Sequence, residues 1–274
     1  MIDEYNFEDI YIRHAIDEEP APSNYKMHLH SRCEIYFFIS GHVEYLVEGS
    51  CYPLHENNLM IMRPSESHTA RIIDGSRYER FAVNFPENFC AQIDSKNLLM
   101  QPFMERSLGK GNLFTQKDMD MEEIKKLFFE MMKVTDSPER RMILYTHLGI
   151  ILFKIFKAFS LTALEERSPA TFSERVVSYI NAHLFEEVTV SNLAEYFCLS
   201  SSQFTRLFKK DIGSSPWEYI LRKRLTAARE LLKKGSGTQS ACSQCGFMDY
   251  SSFYRAYRKY FNEAPASTRE HNIQ

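Results

Sequence analysis

Long apolar runs, paired cysteines and net positive charge are all missing from this chain, and each absence removes a class of protein. No stretch approaches the roughly 18 apolar residues that a membrane span needs. The longest candidate, Leu148 to Phe153, is bounded by His147 and Lys154. The N-terminus, Met1-Ile2-Asp3-Glu4, is acidic and has neither the basic start nor the apolar core of a signal peptide. A cytoplasmic protein with no membrane partner is expected. The six cysteines, at 33, 51, 90, 198, 242 and 245, have no paired metal-knuckle spacing. Cys242-Ser243-Gln244-Cys245 is formally a CxxC, but no second pair accompanies it, so both cysteines read as small core residues.

Lys and Arg total 33 against 36 Asp and Glu, a net charge of −3. Taken whole, that argues against a nucleic-acid partner. The distribution reverses the argument. From Thr171 onward there are 14 basic residues against 10 acidic, and before it 19 against 26, giving +4 and −7. A basic C-terminal part behind an acidic N-terminal part fits one domain that meets DNA and one that avoids it. The modest excess implies salt-sensitive binding that needs a dimer. A length of 274 residues suggests two domains.

The C-terminal part is organised around Leu199 to Gly213. Phe204, Leu207 and Phe208 fall at i, i+3, i+4, the apolar stripe of a short helix. Ser200 is a plausible N-cap, and Gly213 with Pro216 marks the end. The other face carries Ser202, Gln203, Thr205, Arg206 and Lys209, residue types that reach phosphates and base edges. The same pattern returns at Met248 to Asn262. Phe204 matches Phe253, Arg206 matches Arg255, Phe208 matches Tyr257, Lys209-Lys210 matches Arg258-Lys259 and Pro216 matches Pro265, at a constant offset of 49. A short helix precedes each copy, Ser191 to Phe197 and Gln239 to Cys245, and a longer one, Pro216 to Lys234, joins them. Helix, turn, polar-faced helix is the helix-turn-helix arrangement. On that longer helix Trp217, Ile220, Leu221, Leu225, Ala228, Leu231 and Leu232 read as the buried stripe, with Trp217 a core anchor. Arg222, Lys223, Arg224 and Arg229 read as its basic side.

From about Phe172 to Glu270 the chain resembles the DNA-binding domain of AraC/XylS-family transcription regulators. Leu193-Ala194, Ser200, Phe204, Arg206, Phe208-Lys209, Gly213, Pro216, Arg224-Leu225, Ala228, Leu231-Leu232, Gly246-Phe247, Ser251, Phe253, Tyr257, Pro265 and Arg269 carry the likeness. The resemblance implies that Ser202, Gln203, Thr205 and Arg206 face bases in one major groove. It implies that Ser251, Ser252, Tyr254 and Arg255 face the next, while Lys209, Lys210, Arg258 and Lys259 hold phosphates. Asn262 stands where the family usually has Gly, and Thr238, Ala241, Cys242 and Cys245 replace larger aliphatics. The helix before the second reading helix is therefore expected to be loosely packed, with the first head carrying more of the specificity.

The N-terminal part reads as short strands. After an irregular entry over residues 1 to about 24, the segments are Tyr25 to His30, Cys33 to Ser40, His42 to Glu48, Cys51 to Leu54, Asn58 to Met62, His68 to Ile73 and Tyr78 to Phe85. Gly41, Gly49-Ser50, Glu56-Asn57 and Pro64-Ser65 supply turns. Close, regular strands suggest a small sandwich or barrel. His28, His30, Glu34, Tyr36 and Phe38 share one parity. His28-x-His30-x3-Glu34-x6-Gly41 resembles the first cupin motif, and Pro64-Ser65-Glu66-Ser67-His68 the second. In metal cupins the matching residues, here His28, His30, Glu34 and His68, bind one divalent ion. In regulators of this family the pocket typically takes a small effector, often a sugar, and no metal or other cofactor is required. Three readings stay open for these residues: effector recognition, with Tyr36 included; structural histidines; and a bound metal. Arg13, Arg32, Phe38 and Tyr45 are further lining candidates.

Two helices follow. Asp118 to Val134 carries Met121, Ile124, Leu127-Phe128 and Met131. Pro138 to about Leu164, started by Asp136-Ser137-Pro138, carries Leu144, Leu148, Ile151, Ile155 and Phe159, with Ile143, Ile150, Leu152, Phe153 and Phe156 widening its stripe. That width invites a partner helix, hence a homodimer.

The expected fold class is α+β with two domains. A cupin-like effector-binding barrel spans 1–115, a helical dimerisation segment 116–165, a linker 166–171 containing Ser168-Pro169, and an all-α domain with two helix-turn-helix units 172–274. The expected function is a sequence-specific regulator of transcription that binds double-stranded DNA and responds to a small effector such as a carbohydrate, and it is not an enzyme. A metal-dependent cupin enzyme and a ligand-independent DNA-binding dimer are the alternatives.

Overall fold

The structure is a computed structural model and describes residues 1–7, 10–133, 138–162 and 172–270. The expected helix break at Asp136-Ser137 and the expected linker over 166–171 lie outside the described residues. The chain forms two compact units, the first drawn largely from residues 1–169 and the second built around Ala170–Gln274.

Among the described residues, nine strands build the first unit: β1 (Ile2–Phe7), β2 (Ile10–Asp17), β3 (Cys33–Ser40), β4 (Val43–Val47), β5 (Ser50–Pro53), β6 (Leu59–Met62), β7 (His68–Ile72), β8 (Tyr78–Phe85) and β9 (Leu113–Phe114). They make a six-stranded sheet in the order β1-β2-β8-β3-β6-β9 and a three-stranded sheet in the order β5-β4-β7. β3 and β8 have the bounds expected from sequence, and β4 to β7 fall within a residue or so of theirs. Two expectations fail. Ile2–Phe7 and Ile10–Asp17, read as irregular, form β1 and β2, with β2 paired antiparallel to β8. Tyr25 to His30, read as a strand, is not a strand of either sheet; His28 makes only an isolated bridge, and Met27 and Leu29 are buried.

Alternation along the large sheet sorts its side chains onto two faces. One face carries Ile10, Ile12, Ile35, Phe37, Leu59, Ile61, Phe81, Val83 and Phe85, and packs against the helices. These are α1 (Gln101–Met104), α2 (Met121–Lys133) and α3 (Pro138–Thr162). The expected stripes do this burying: Met121, Ile124, Leu127, Phe128 and Met131 from α2, and Leu144, Leu148, Ile151 and Ile155 from α3. Over Glu139–Leu161, α3 is also long and apolar enough to cross a membrane by length and composition, which the residue count had not suggested. One side of α3 lies in this core, and Met142, Ile150, Phe153 and Leu161 remain exposed on it. The inner face of the large sheet meets the small sheet over Tyr36, Phe38, Met60, Met62, Tyr78, Val43, Tyr45, Val47, Ala70 and Ile72.

The second unit is helical: α4 (Phe172–Ala182), α5 (Val190–Tyr196), α6 (Ser201–Ile212), α7 (Pro216–Lys233), α8 (Thr238–Gln244), α9 (Tyr250–Phe261) and α10 (Pro265–Glu270). An aromatic chain Phe172–Phe197–Phe204–Phe208–Tyr219 ties α4, α6 and α7 together. Leu225, Ala228 and Leu232 of α7 pack with Ala241, Cys242, Cys245, Phe253 and Tyr257. Both cysteines are thus core residues, as their spacing suggested. The expectation that α8 is loosely packed is corrected here, because Ala241 and Cys245 are sealed into that cluster. What α8 lacks is a side-chain N-cap, since Gly237 stands at its start where Thr189 caps α5.

Three expectations for α7 also change. Trp217 is 54% exposed and anchors nothing; Tyr219 takes the inward position instead. Lys223 and Arg224 are buried and do not belong to a solvated basic side. The Arg224 guanidinium donates to the carbonyls of Leu184 at 2.8 Å, Gly246 at 2.7 Å and Glu186 at 2.6 Å. It satisfies the backbone of two turns at once, and burial lowers its pKa.

Candidate nucleic-acid interface and effector site

The two polar-faced helices are copies in structure as well as in sequence. α6 begins at Ser201 and ends at Ile212, and α9 begins at Tyr250 and ends at Phe261, so both ends repeat the 49-residue offset. Each N-cap oxygen accepts a backbone N–H three residues on, Ser200 from Gln203 and Asp249 from Ser252. Each C-cap is left-handed, Gly213 at φ 82 and Asn262 at φ 57, so Asn replaces the usual Gly without loss of the turn. The turn inside each helix pair is also left-handed, at Cys198 (φ 56) and Gly246 (φ 74). Gly246 is required twice over, since a Cβ there would lie 2.7 Å from the Phe185 carbonyl oxygen.

Phe204, Phe208, Phe253 and Tyr257 point into the core. The opposite faces present Ser202, Gln203, Arg206, Lys209 and Lys210 on α6 and Ser251, Ser252, Arg255, Arg258 and Lys259 on α9, all exposed. Thr205 and Tyr254 are half-buried at the edges of those faces. One contact modifies the simple assignment. The Gln203 side-chain oxygen accepts from the Ser200 hydroxyl at 3.0 Å and backbone N–H at 3.3 Å, closing a capping box. Only the amide nitrogen of Gln203 is left to face outward. Arg255 donates to the Ser252 hydroxyl at 3.3 Å, which orients its guanidinium along the same face.

In the first unit, the inner sheet face gathers polar groups. Glu34 accepts from the Asn84 amide at 2.7 Å. His68 is fully buried, its Nδ1 2.7 Å from the Glu66 carbonyl and its Nε2 3.7 Å from Glu34. Burial works against protonating His68, but the Glu34 carboxylate outweighs it and raises the pKa. Tyr45 stacks on His68 and lies beside Tyr36, whose hydroxyl pairs with that of Tyr78 at 2.5 Å. Burial pushes Tyr78 up to about 12 and lifts Tyr36 and Tyr45 well above the usual phenol value. Phe38 joins the same face.

Of the residues singled out from sequence, His28, Glu34 and His68 offer ligand atoms that all lie within 4.8 Å of one another. His30 is outside that group, 6.3 Å ring to ring from His28. Three nitrogen and oxygen donors suit a divalent ion of the zinc, iron or manganese type, one donor fewer than the four residues the motif suggested. Sequence reasoning missed Glu66, which is buried and accepts from both Arg106 terminal nitrogens, the Gly109 N–H at 2.8 Å and the Arg63 N–H at 3.0 Å. This knot fixes the loop that aims His68. The acid two residues before the motif histidine was its only signal.

Comparison with known proteins matches residues 14–142 to a family described as "AraC-like ligand binding domain" and residues 193–271 to one described as "Helix-turn-helix domain". The "Probable transcriptional regulator LumQ" of Photobacterium leiognathi is 35% identical over 116 residues, 39% of this chain and 47% of that protein. The chain thus spans about half the length of LumQ. The "HTH-type transcriptional activator RhaS" of Escherichia coli strain SMS-3-5 is 22% identical over 264 residues, 93% of this chain and 91% of that one. Among solved structures, an AraC-type DNA-binding regulator from Chromobacterium violaceum is 34% identical, covering 36% of this chain and 89% of its own, with a TM-score of 0.33. A ligand-binding unit followed by paired helix-turn-helix motifs defines a transcriptional regulator. The chain belongs to the AraC family of transcriptional regulators.

Proposed function

We propose that this chain is a cytoplasmic, sequence-specific regulator that binds double-stranded DNA through α6 and α9 as a homodimer and responds to a small effector held on the inner face of its two-sheet unit. The observation that carries the DNA reading is the repeated helix pair: same length, same capping logic, same exposed row of Ser, Arg and Lys. Arg206 and Arg255 are the central base readers, because a guanidinium donates bidentately to guanine. Ser202, Gln203, Thr205, Ser251, Ser252 and Tyr254 flank them, and Lys209, Lys210, Arg258 and Lys259 take phosphates. The effector contacts are Glu34, Tyr36 and His68, with His28 and His30 at the rim. The exposed apolar side of α3 supports the homodimer.

Arg206→Ala tests the assignment. Binding to the cognate site should fall by about 1–3 kcal/mol, with relaxed preference at one base position and an unchanged fold. Unaltered affinity and footprint would remove Arg206 from the interface. The alternative of a metal enzyme rests on the His28, Glu34 and His68 donors. Metal analysis of protein purified without an affinity tag decides it, because a stoichiometric ion with an open coordination position would favour that reading.

A further inference from the structure

The two reading helices differ at two positions that the 49-residue offset brings into register. Tyr250 stands where the first copy has Ser201, and Tyr254 where it has Thr205. The core positions are alike, Phe204 with Phe253 and Phe208 with Tyr257, and so are Arg206 and Arg255 on the outer face. The exchange therefore leaves the core positions alone and alters one flank of α9. Tyr250 and Tyr254 are four residues apart, and Arg258 is the next residue in the same column. The two ring centroids are 6.3 Å apart, and the Tyr250 ring lies 5.9 Å from that of buried Phe253. Two rings backed by a third make a firm apolar ledge. Tyr250 is 36% exposed, Tyr254 is half-buried, and Met248, directly ahead of the Asp249 cap, is 91% exposed.

The surroundings select what covers this ledge. Arg255, Arg258 and Lys259 are exposed on the same helix, so the complementary surface is polyanionic. A duplex offers one apolar group between its phosphate rows, the thymine C5-methyl in the major groove. The start of α9 is capped by the Asp249 carboxylate, which accepts the Ser252 N–H at 2.7 Å, whereas the neutral hydroxyl of Ser200 caps α6. A carboxylate repels a phosphate, so the Tyr250 end of the helix suits the base edges and the Arg258 end the backbone.

We propose that Tyr250 and Tyr254 make α9 a reader of thymine methyl groups. The rings pack on a C5-methyl in the major groove while Arg255 meets a neighbouring base, so the half-site under α9 carries thymine. The rings do the reading, and the phenol hydroxyls are not needed for it. This deepens the DNA reading proposed above and rests on it.

The test uses the full chain and a duplex that it selects from a randomised pool, with the α9 patch located as the protection lost in Arg255→Ala. Each thymine of that patch is replaced in turn by deoxyuridine, which deletes the methyl and keeps every hydrogen-bonding group of the base. At least one replacement should weaken binding by wild type about fourfold, the worth of one buried methyl. Tyr250→Ser with Tyr254→Thr, which installs the residues of the first head, should abolish that discrimination. Tyr250→Phe with Tyr254→Phe should keep it. Thermal melts establish that both double variants fold, and the uridine comparison in wild type needs neither. A patch without thymine, or uridine replacements that cost nothing, overturns the proposal. So does a loss that survives the Ser and Thr exchange or vanishes in the phenylalanine pair. Arg255→Ala that removes no protection sinks the two-headed reading itself. A patch that is lost in Arg255→Ala but whose thymines tolerate uridine sinks this inference alone.

Discussion

Single side chains carry the charge bookkeeping of both units. His68 is the clearest titrating case. Its ordinary pKa is 6.5, and in the folded chain the Glu34 carboxylate raises it against the opposing pull of burial. A raised folded-state value means that the pair stabilises most below the unfolded value and loses that contribution as pH rises through the folded one. The stability difference between wild type and His68→Gln should therefore be larger near pH 6 than at about pH 9 in urea titrations. A difference that grows with pH would contradict the pairing. Arg224 teaches a complementary lesson. A run of Arg222-Lys223-Arg224 looks like a solvated face from sequence, because pattern alone cannot tell a charge that meets water from one that meets three carbonyls. Trp217 errs in the opposite direction. It falls on the apolar stripe, yet Pro216 and Tyr219 take the buried positions of the first turn of α7 and Trp217 is left exposed.

Whole elements were legible where both periodicity and punctuation were present. β3 to β8 alternate between Gly, Asn and Pro turns, and α6 and α7 begin at Ser200 and Ser215, each completing a capping box three residues later. β1 was not legible because it is an exposed edge with no buried face to impose a pattern, and Arg13, His14 and Asp17 interrupt the pattern of β2. Met27 and Leu29 gave the reverse error, alternation that supports no more than an isolated bridge at His28. The recognition helices were legible together because each checks the other at a fixed offset. Capping offers a direct measurement at this scale. Ser200→Ala removes the acceptor for the Gln203 N–H and should cost about 1 kcal/mol of stability, whereas exposed Ser202→Ala should stay within about 0.5 kcal/mol. Equal effects in chemical denaturation would mean that the box does not hold the helix start.

At the scale of the molecule, the proposed function places sensing in one unit, reading in the other and assembly on α3. Met142, Ile150, Phe153 and Leu161 line the exposed side of α3, while its other side is committed to the core. In the proposed homodimer a second copy would cover this side of the helix. Phe153→Asp should shift sedimentation from dimer to monomer with melting little changed, and a variant that remains dimeric would move the interface elsewhere. The central claim is that α6 and α9 are two reading heads on one duplex. Hydroxyl-radical footprinting of the full chain on its operator tests it most directly. Two reading heads should give two protected patches per protomer on one face of the DNA, one helical turn (~34 Å) apart. Arg206→Ala should weaken one patch and Arg255→Ala the other. A single protected patch per protomer, or loss of both patches from either substitution alone, would contradict it.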